Sequence, residues 1–202
     1  MRVLVACEFS GIVREAFKAR GHDAWSCDLL PTEIEGQHIQ GDVLEILDDG
    51  WDLMIAHPPC TYICSAGFNW INRQPNRMKK AEESLNFIRK LMDAAIFKIA
   101  IENPVGMIST KIRKPNQYIQ PYFFGDPYQK KTGLWLKNLP PLISSVIADK
   151  GEIYITKSGK SRGGKWTMNL PGQGKNTQKI RSRTFPGIAK AMATQWSKDL
   201  TK

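Results

Sequence analysis

The sequence predicts an α/β fold built on a mostly parallel sheet with helices on both faces. Three observations lead there. Short apolar runs alternate with segments of helical periodicity along the first half of the chain. Those runs are continuously apolar, as in "RVLVAC" and "DLMIAH", and a strand of that kind is buried on both faces. The length of 202 residues suits one domain with a full core and little room for a second.

The elements follow in chain order. "RVLVAC" reads as a strand and "EFSG" as a tight turn, followed by a helix with Ile12, Val13, Ala16 and Phe17 on one face. "DAWSCDLL" is a second strand ending in Asp28, "HIQGD" a weak third, and "DLMIAH" a fourth that runs into a double proline. Residues 79–95 space Ala81, Leu85, Ile88, Met92 and Ala95 by three and four, the pattern of a helix with one buried stripe. "FKIAIENP" is a fifth strand, broken by Pro104. From about Pro115 the pattern turns to Pro, Gly and aromatic residues with short strand-like pieces, "GLWL" and "EIYIT", and "FPGIAKAMATQW" closes it as a terminal helix. Residues 1–110 thus form the core, 111–184 a reduced contact region, and 185–202 a helix packing back on the core. No internal repeat is present.

Charge divides the chain. Residues 1–60 hold four Lys/Arg against eleven Asp/Glu, so the net charge of +10 arises entirely in the remainder. Lys157 to Arg183 carries eight Lys/Arg and no acid, with glycines interleaved. Solvated loops usually mix signs, so this segment points to a polyanion, most simply nucleic acid. No apolar run approaches the ~18 residues of a membrane span, and "MRVLVACEFSG" leads into charged residues instead of a cleavable signal. A soluble, cytoplasmic protein with reduced Cys7, Cys27, Cys60 and Cys64 is expected.

In open α/β sheets ligands bind at the carboxyl ends of the strands. Those positions are Glu8 to Gly11, Asp28, Asp42, His57 to Cys60, and Glu102 to Pro104. Ser10 and Gly11 make a turn that a ligand can approach, and Asp28 follows Phe9 at the distance typical of a ribose-binding acid. A nucleoside-containing cofactor is implied. The turn lacks the further glycines of a dinucleotide fingerprint and has no phosphate-loop lysine, which disfavours a diphosphate. Plainer uses compete at each position. A cysteine after a strand is usually a small buried hydrophobe, and Gly-Asp usually a turn or cap. Trp135 and Trp196 read as core, with Trp166 in the basic segment the exception. His57, Cys60 and Cys64 lack the paired CxxC of a zinc site, so no metal is expected.

Taken together, "FSG", Asp28, "GDV", "PPC" and "ENP", in that order, resemble the DNA cytosine C5-methyltransferases. "QPYFFGDPYQKKTGLWLKNLP" and "RSRTFPGIAKAMATQW" are similar to the compact phage-type members. The resemblance implies a Rossmann-like methyltransferase fold, with S-adenosylmethionine, or a sulfonium derivative, held by Phe9, Ser10, Gly11, Asp28, Leu29, Asp42, Val43 and Pro58. It implies Cys60 as the nucleophile that adds to C6 of a flipped cytosine, Glu102 as the group at the ring N3, and Asn103 as the residue fixing the loop. Double-stranded DNA is the implied partner, contacted by Lys131, Arg162, Lys165, Arg181 and Arg183. The sequence departs from the family at Ile12, Val13 and Pro104, and has no clean Q-x-R-x-R block, for which Gln129 to Lys131 is the nearest positional substitute. Two rival readings stand beside it: an amino-methyltransferase acting on adenine N6 or cytosine N4, and a catalytically silent nucleic-acid-binding protein. His57-Pro-Pro-Cys60 supplies neither end of the triplet the first requires, and Cys60 together with Glu102 argues against the second.

Overall fold

Alternation within the first strand sets up the two faces of the sheet. In β1 (Arg2–Ala6), Val3 and Val5 point into one apolar core while Leu4 and Ala6 point into another. A computed structural model describes residues 1–65, 67, 74–159, 161–164 and 175–197. After β1 come α1 (Ile12–Lys18), β2 (Asp23–Asp28), β3 (His38–Gln40) and β4 (Leu53–Ala56). Then follow α2 (Arg77–Asp93), β5 (Lys98–Pro104), a single turn α3 (Ile108–Lys111), β6 (Gln117–Ile119) and β7 (Thr132–Lys137). The chain ends with β8 (Ile153–Ile155), β9 (Ser161–Gly164), α4 (Lys175–Ser182) and α5 (Pro186–Trp196).

Seven strands form one sheet in the order β3-β2-β1-β4-β5-β7-β6. β1 to β5 pair in parallel, and β7 lies antiparallel between β5 and β6. This is the Rossmann-like, mostly parallel arrangement expected from the sequence. The sheet draws β6 and β7 from within 111–184, while β8 and β9 form a separate antiparallel pair. One core lies between the sheet, α1 and α5, and includes Phe17, Ile55, Met192 and Trp196. The other lies under α2 and includes Leu85, Ile88, Met54 and Trp135. Trp135 and Trp196 are each 1 % exposed, with Nε1 donating to Arg113 O and Pro140 O.

Three elements differ from the pattern read above. The stripe of α2 runs through Ala81, Leu85 and Ile88 to Leu91, because the helix ends at Asp93 and Ala95 lies exposed beyond it. β5 includes Pro104, opposite Thr132 of β7; β4 has already ended at Ala56, opposite Ile101, so proline falls where the ladder on that side has stopped. The basic glycine-rich segment, for which the sequence suggests no element, contains the helix α4. Its lysines and arginines are adequate helix formers, and the glycines precede it.

Arg14 is a structural residue that periodicity could not identify. Its side chain is fully buried, donating to Glu15 Oε1, Ser26 Oγ, Thr32 Oγ1 and the carbonyls of Ile34 and Glu35. It ties α1 and β2 to the loop after β2. Replacing Arg14 with Leu removes a buried partner of Ser26 and frees the loop after β2 from α1, and should destabilise the fold by about 3 kcal/mol. Urea unfolding reads the loss, and limited proteolysis should place the first cut in residues 30–36.

Candidate active site

The carboxyl ends of β1, β2, β4 and β5 bring the sequence-derived candidates to one edge of the sheet. At the end of β1 the chain turns through Cys7 and Gly11, with φ of 56° and 74°. A Cβ on Gly11 would lie 2.8 Å from the Arg14 guanidinium, so glycine serves both the turn and the packing. α1 has no side-chain cap at Gly11. Glu8 caps it instead: its buried carboxylate accepts from the backbone N–H of Val13 at 2.7 Å and of Arg14 at 3.2 Å, and from Ser10 Oγ at 3.1 Å. Phe9 packs beside this turn, 7 % exposed, under the Lys179 ammonium of α4.

Asp28 and Asp42 follow β2 and β3. Both charges reach the thiols of Cys7 and Cys27 and, together with burial, push them up, Cys27 to about 11. Burial also raises the Asp28 carboxyl, against the opposing Leu30 N–H, which donates to it at 2.9 Å. Asp42 caps the 3₁₀ turn Val43–Glu45 by accepting from Leu44 N at 3.0 Å, the plain role weighed for it in the sequence. Val43 is buried and Leu29 is 72 % exposed.

β4 ends in His57-Pro58-Pro59-Cys60, and β5 in Glu102-Asn103-Pro104. Asn103, 1 % exposed, donates from Nδ2 to the Pro58 carbonyl at 2.7 Å, tying the two strand ends together. Cys60 begins a helical turn in which Cys64 N donates to Cys60 O at 3.0 Å. That turn lies directly on Gly106, where a Cβ would stand 2.1 Å from the Ile63 carbonyl oxygen. The Cys60 thiol is pushed well above its ordinary range, first by its hydrogen bond with Cys64 and then by burial; Lys130 opposes this and Glu102 adds to it. In this state Cys60 is a neutral thiol.

Burial would also raise Glu102, but the His57 hydrogen bond and the Lys130 charge outweigh it and hold the carboxyl below its usual range. Beside Glu102 opens a small cleft lined by Lys130, Thr132, Thr184, Phe185 and Ile188. It joins strand ends β5 and β7 to the start of α5. Lys130 is held there by its ammonium, which donates to Arg181 O at 2.7 Å and lies 5.9 Å from the Phe185 ring.

Of the basic residues proposed to meet a polyanion, Lys131 is exposed with its ammonium over the Tyr118 ring, and Arg181 is exposed on α4. Arg183 is engaged within the chain, donating to both carboxylate oxygens of Glu33 at 2.8 and 2.9 Å. Lys165, Trp166 and the side chain of Arg162 lie outside the described residues. Among the described residues no cluster of three or more His, Cys, Asp or Glu could hold a metal ion, and no helix is long and apolar enough to cross a membrane. Sequence reasoning passed over Glu8 as a cap, His57 as the partner of Glu102, and Lys130, Thr132 and Phe185 as cleft walls. An acid just before a helix that lacks a capping side chain was a readable sign of the first.

No family model and no curated protein matches the chain. Among solved structures, a candidate DNA modification methyltransferase encoded within an E. coli prophage aligns with 96 % of this chain and 69 % of its own, at 14 % identity and a TM-score of 0.46.

Since the Cys64 hydrogen bond is the largest influence on the Cys60 thiol, Cys64→Ala should lower its pKa and raise its thiolate fraction. Iodoacetamide labelling of Cys60 at pH 8, followed by peptide mass spectrometry, should then run several-fold faster than in the unaltered protein. An unchanged rate would show that burial alone governs the thiol.

Proposed function

We propose that the protein transfers a methyl group, or a related group, from S-adenosylmethionine to C5 of a flipped-out cytosine in DNA, through a covalent bond between Cys60 and C6. The observation that carries this reading is that Cys60 follows β4 and Glu102 lies in the neighbouring parallel strand β5, with Asn103 tying the Cys60 loop to β5 and Glu102 lining a cleft with an apolar wall. A thiol and a carboxyl so placed can serve C6 and N3 of one pyrimidine ring.

The turn after β1 supports the choice of cofactor. Where a dinucleotide would set its diphosphate on the helix N-terminus, Glu8 already supplies the anion to Val13 N and Arg14 N. A phosphate there would meet a buried carboxylate, whereas a phosphate-free, cationic nucleoside suits Glu8, Asp28 and Asp42. Bound S-adenosylmethionine would supply an electrophilic methyl group on its sulfonium. Phe9, Ser10, Gly11, Leu29, Val43 and Pro58 would form its surroundings, with Asp28 and Asp42 available to its hydroxyl and amino donors.

C5 of cytosine is too electron-poor to take up a methyl group unaided. Cys60 loses its proton to water as the base enters, and its sulfur bonds to C6. Negative charge spreading onto N3 takes up a proton from water, which has received the Cys60 proton, and the N3–H so formed donates to the Glu102 carboxylate. C5 becomes nucleophilic and takes the methyl group. Loss of the C5 proton to water then expels the Cys60 thiolate, and return of the N3 proton to water restores the neutral aromatic base. A base held in the duplex cannot expose C6, so extrusion is required, and exposed Lys131 and Arg181, with the basic segment around α4, suit the flanking phosphates.

Cys60→Ser should bind DNA and cofactor within about two-fold of the unaltered protein and lose transfer by at least ~10³-fold, while Glu102→Gln should lower the single-turnover rate more than it weakens DNA binding. Transfer of a labelled methyl group to duplex DNA, with filter binding alongside, reads both. Full transfer by Cys60→Ser would refute the nucleophile.

A further inference from the structure

His57 has no role in the chemistry above, yet it occupies a defined place beside it. β4 and β5 run in parallel with Ala56 opposite Ile101, so the next residues, His57 just past β4 and Glu102 still within β5, lie side by side. Both side chains are shielded, 7 % and 15 % exposed. The backbone N–H of His57 donates to Ala6 O at 2.9 Å, and its ring Nδ1 lies 3.2 Å from Glu102 Oε2. The other ring nitrogen, Nε2, is buried and has no hydrogen-bond partner.

These contacts fix the tautomer. An ionised carboxylate only accepts, so the proton of the shared hydrogen bond sits on Nδ1. His57 is therefore a donor to one oxygen of Glu102, Thr132 of β7 also bears on the carboxylate, and the cleft opens beside it. The other groups bearing on Glu102 are the Cys60 thiol beyond β4, the Lys130 ammonium before β7 and the Thr132 hydroxyl at the start of β7, while the α5 side presents Thr184, Phe185 and Ile188.

We propose that His57 is a positioning residue for Glu102: by donating from Nδ1 to Oε2 it sets the rotation of the carboxylate and presents Oε1 to the Watson–Crick edge of the bound base. The presentation to a base rests on the reading under Proposed function; the contact and its effect on Glu102 do not. An acceptor oxygen fixed in this way pairs with the amino group of cytosine and opposes the O4 acceptor of thymine or uracil. The His57 donor stabilises the charged form of Glu102, so removing it raises the carboxyl pKa.

Two measurements on the full chain test this. Nitrogen-15 NMR of the unaltered protein should show a proton on His57 Nδ1 at neutral pH; a ring protonated on Nε2 alone overturns the proposal and needs no variant. Carbon-13 NMR of glutamate-labelled protein, with the Glu102 resonance assigned by its loss in Glu102→Gln, should place the titration midpoint below that of ordinary glutamate. In His57→Phe the midpoint should rise by about one pH unit, a tenfold gain in proton affinity. In His57→Asn, whose amide places a donor near the Nδ1 position, most of that rise should be absent. A midpoint unmoved in His57→Phe, or an Asn variant that behaves like Phe, overturns the proposal. If the NMR results hold and the unaltered protein transfers no methyl group, the functional reading fails and the His57 assignment stands.

Discussion

The parallel pairing of β4 with β5 is the constraint on which the site depends. Strands in parallel register end at the same edge, and their first polar residues emerge next to each other. With Ala56 opposite Ile101, that rule puts His57 against Glu102, and the Asn103 amide on the Pro58 carbonyl then fixes the loop that carries Cys60. A slip of one residue between these strands would turn Glu102 to the opposite face of the sheet and separate it from both His57 and Cys60. The apolar runs that bury the strands therefore also align the chemistry.

A second constraint operates at the turn after β1. α1 has only seven residues and little intrinsic stability, so its start is secured by tertiary contacts. Glu8 satisfies the first amides and Arg14 ties the helix to the loop after β2. The same arrangement that stabilises the helix places an anion where dinucleotide-binding turns leave room for phosphate. α4 then reaches across to this region, with Lys179 over Phe9, and Arg183, just beyond the helix, paired with Glu33. The basic segment and the turn after β1 are thus physically joined, and the cleft residues Thr184 and Phe185 follow directly in the chain.

Much of the fold was legible because the apolar runs of β1, β2, β4 and β5 are continuous and end sharply in polar residues. The strand-end rule located Asp28, Asp42, Cys60 and Glu102 for the same reason. What escaped depends on pairing between distant segments. Nothing local in "GLWL" says that it enters the main sheet antiparallel between β5 and β6, and Lys130, Thr132 and Phe185 reach the cleft only through that insertion and the return of α5. The His57–Glu102 contact was within reach, since aligning "LMIA" with "IAI" sets the histidine beside the glutamate. It was passed over because His57 was weighed only as a zinc ligand and as part of a Pro-Pro triplet. Arg183 shows the converse limit: a basic residue in a basic segment reads as a phosphate contact, and only the fold reveals its bonds to Glu33.

The central claim is the covalent role of Cys60, and one trapping experiment addresses it directly. Duplex DNA containing 5-fluorocytosine, incubated with the protein and S-adenosylmethionine, offers a base whose C5 substituent cannot leave as a proton. The account predicts a stable protein–DNA adduct in the intact mass spectrum, mapping to Cys60 and carrying the added mass of the transferred group. Absence of any adduct, with DNA and cofactor both shown to bind, would contradict it and leave Cys60 as a strand-end thiol.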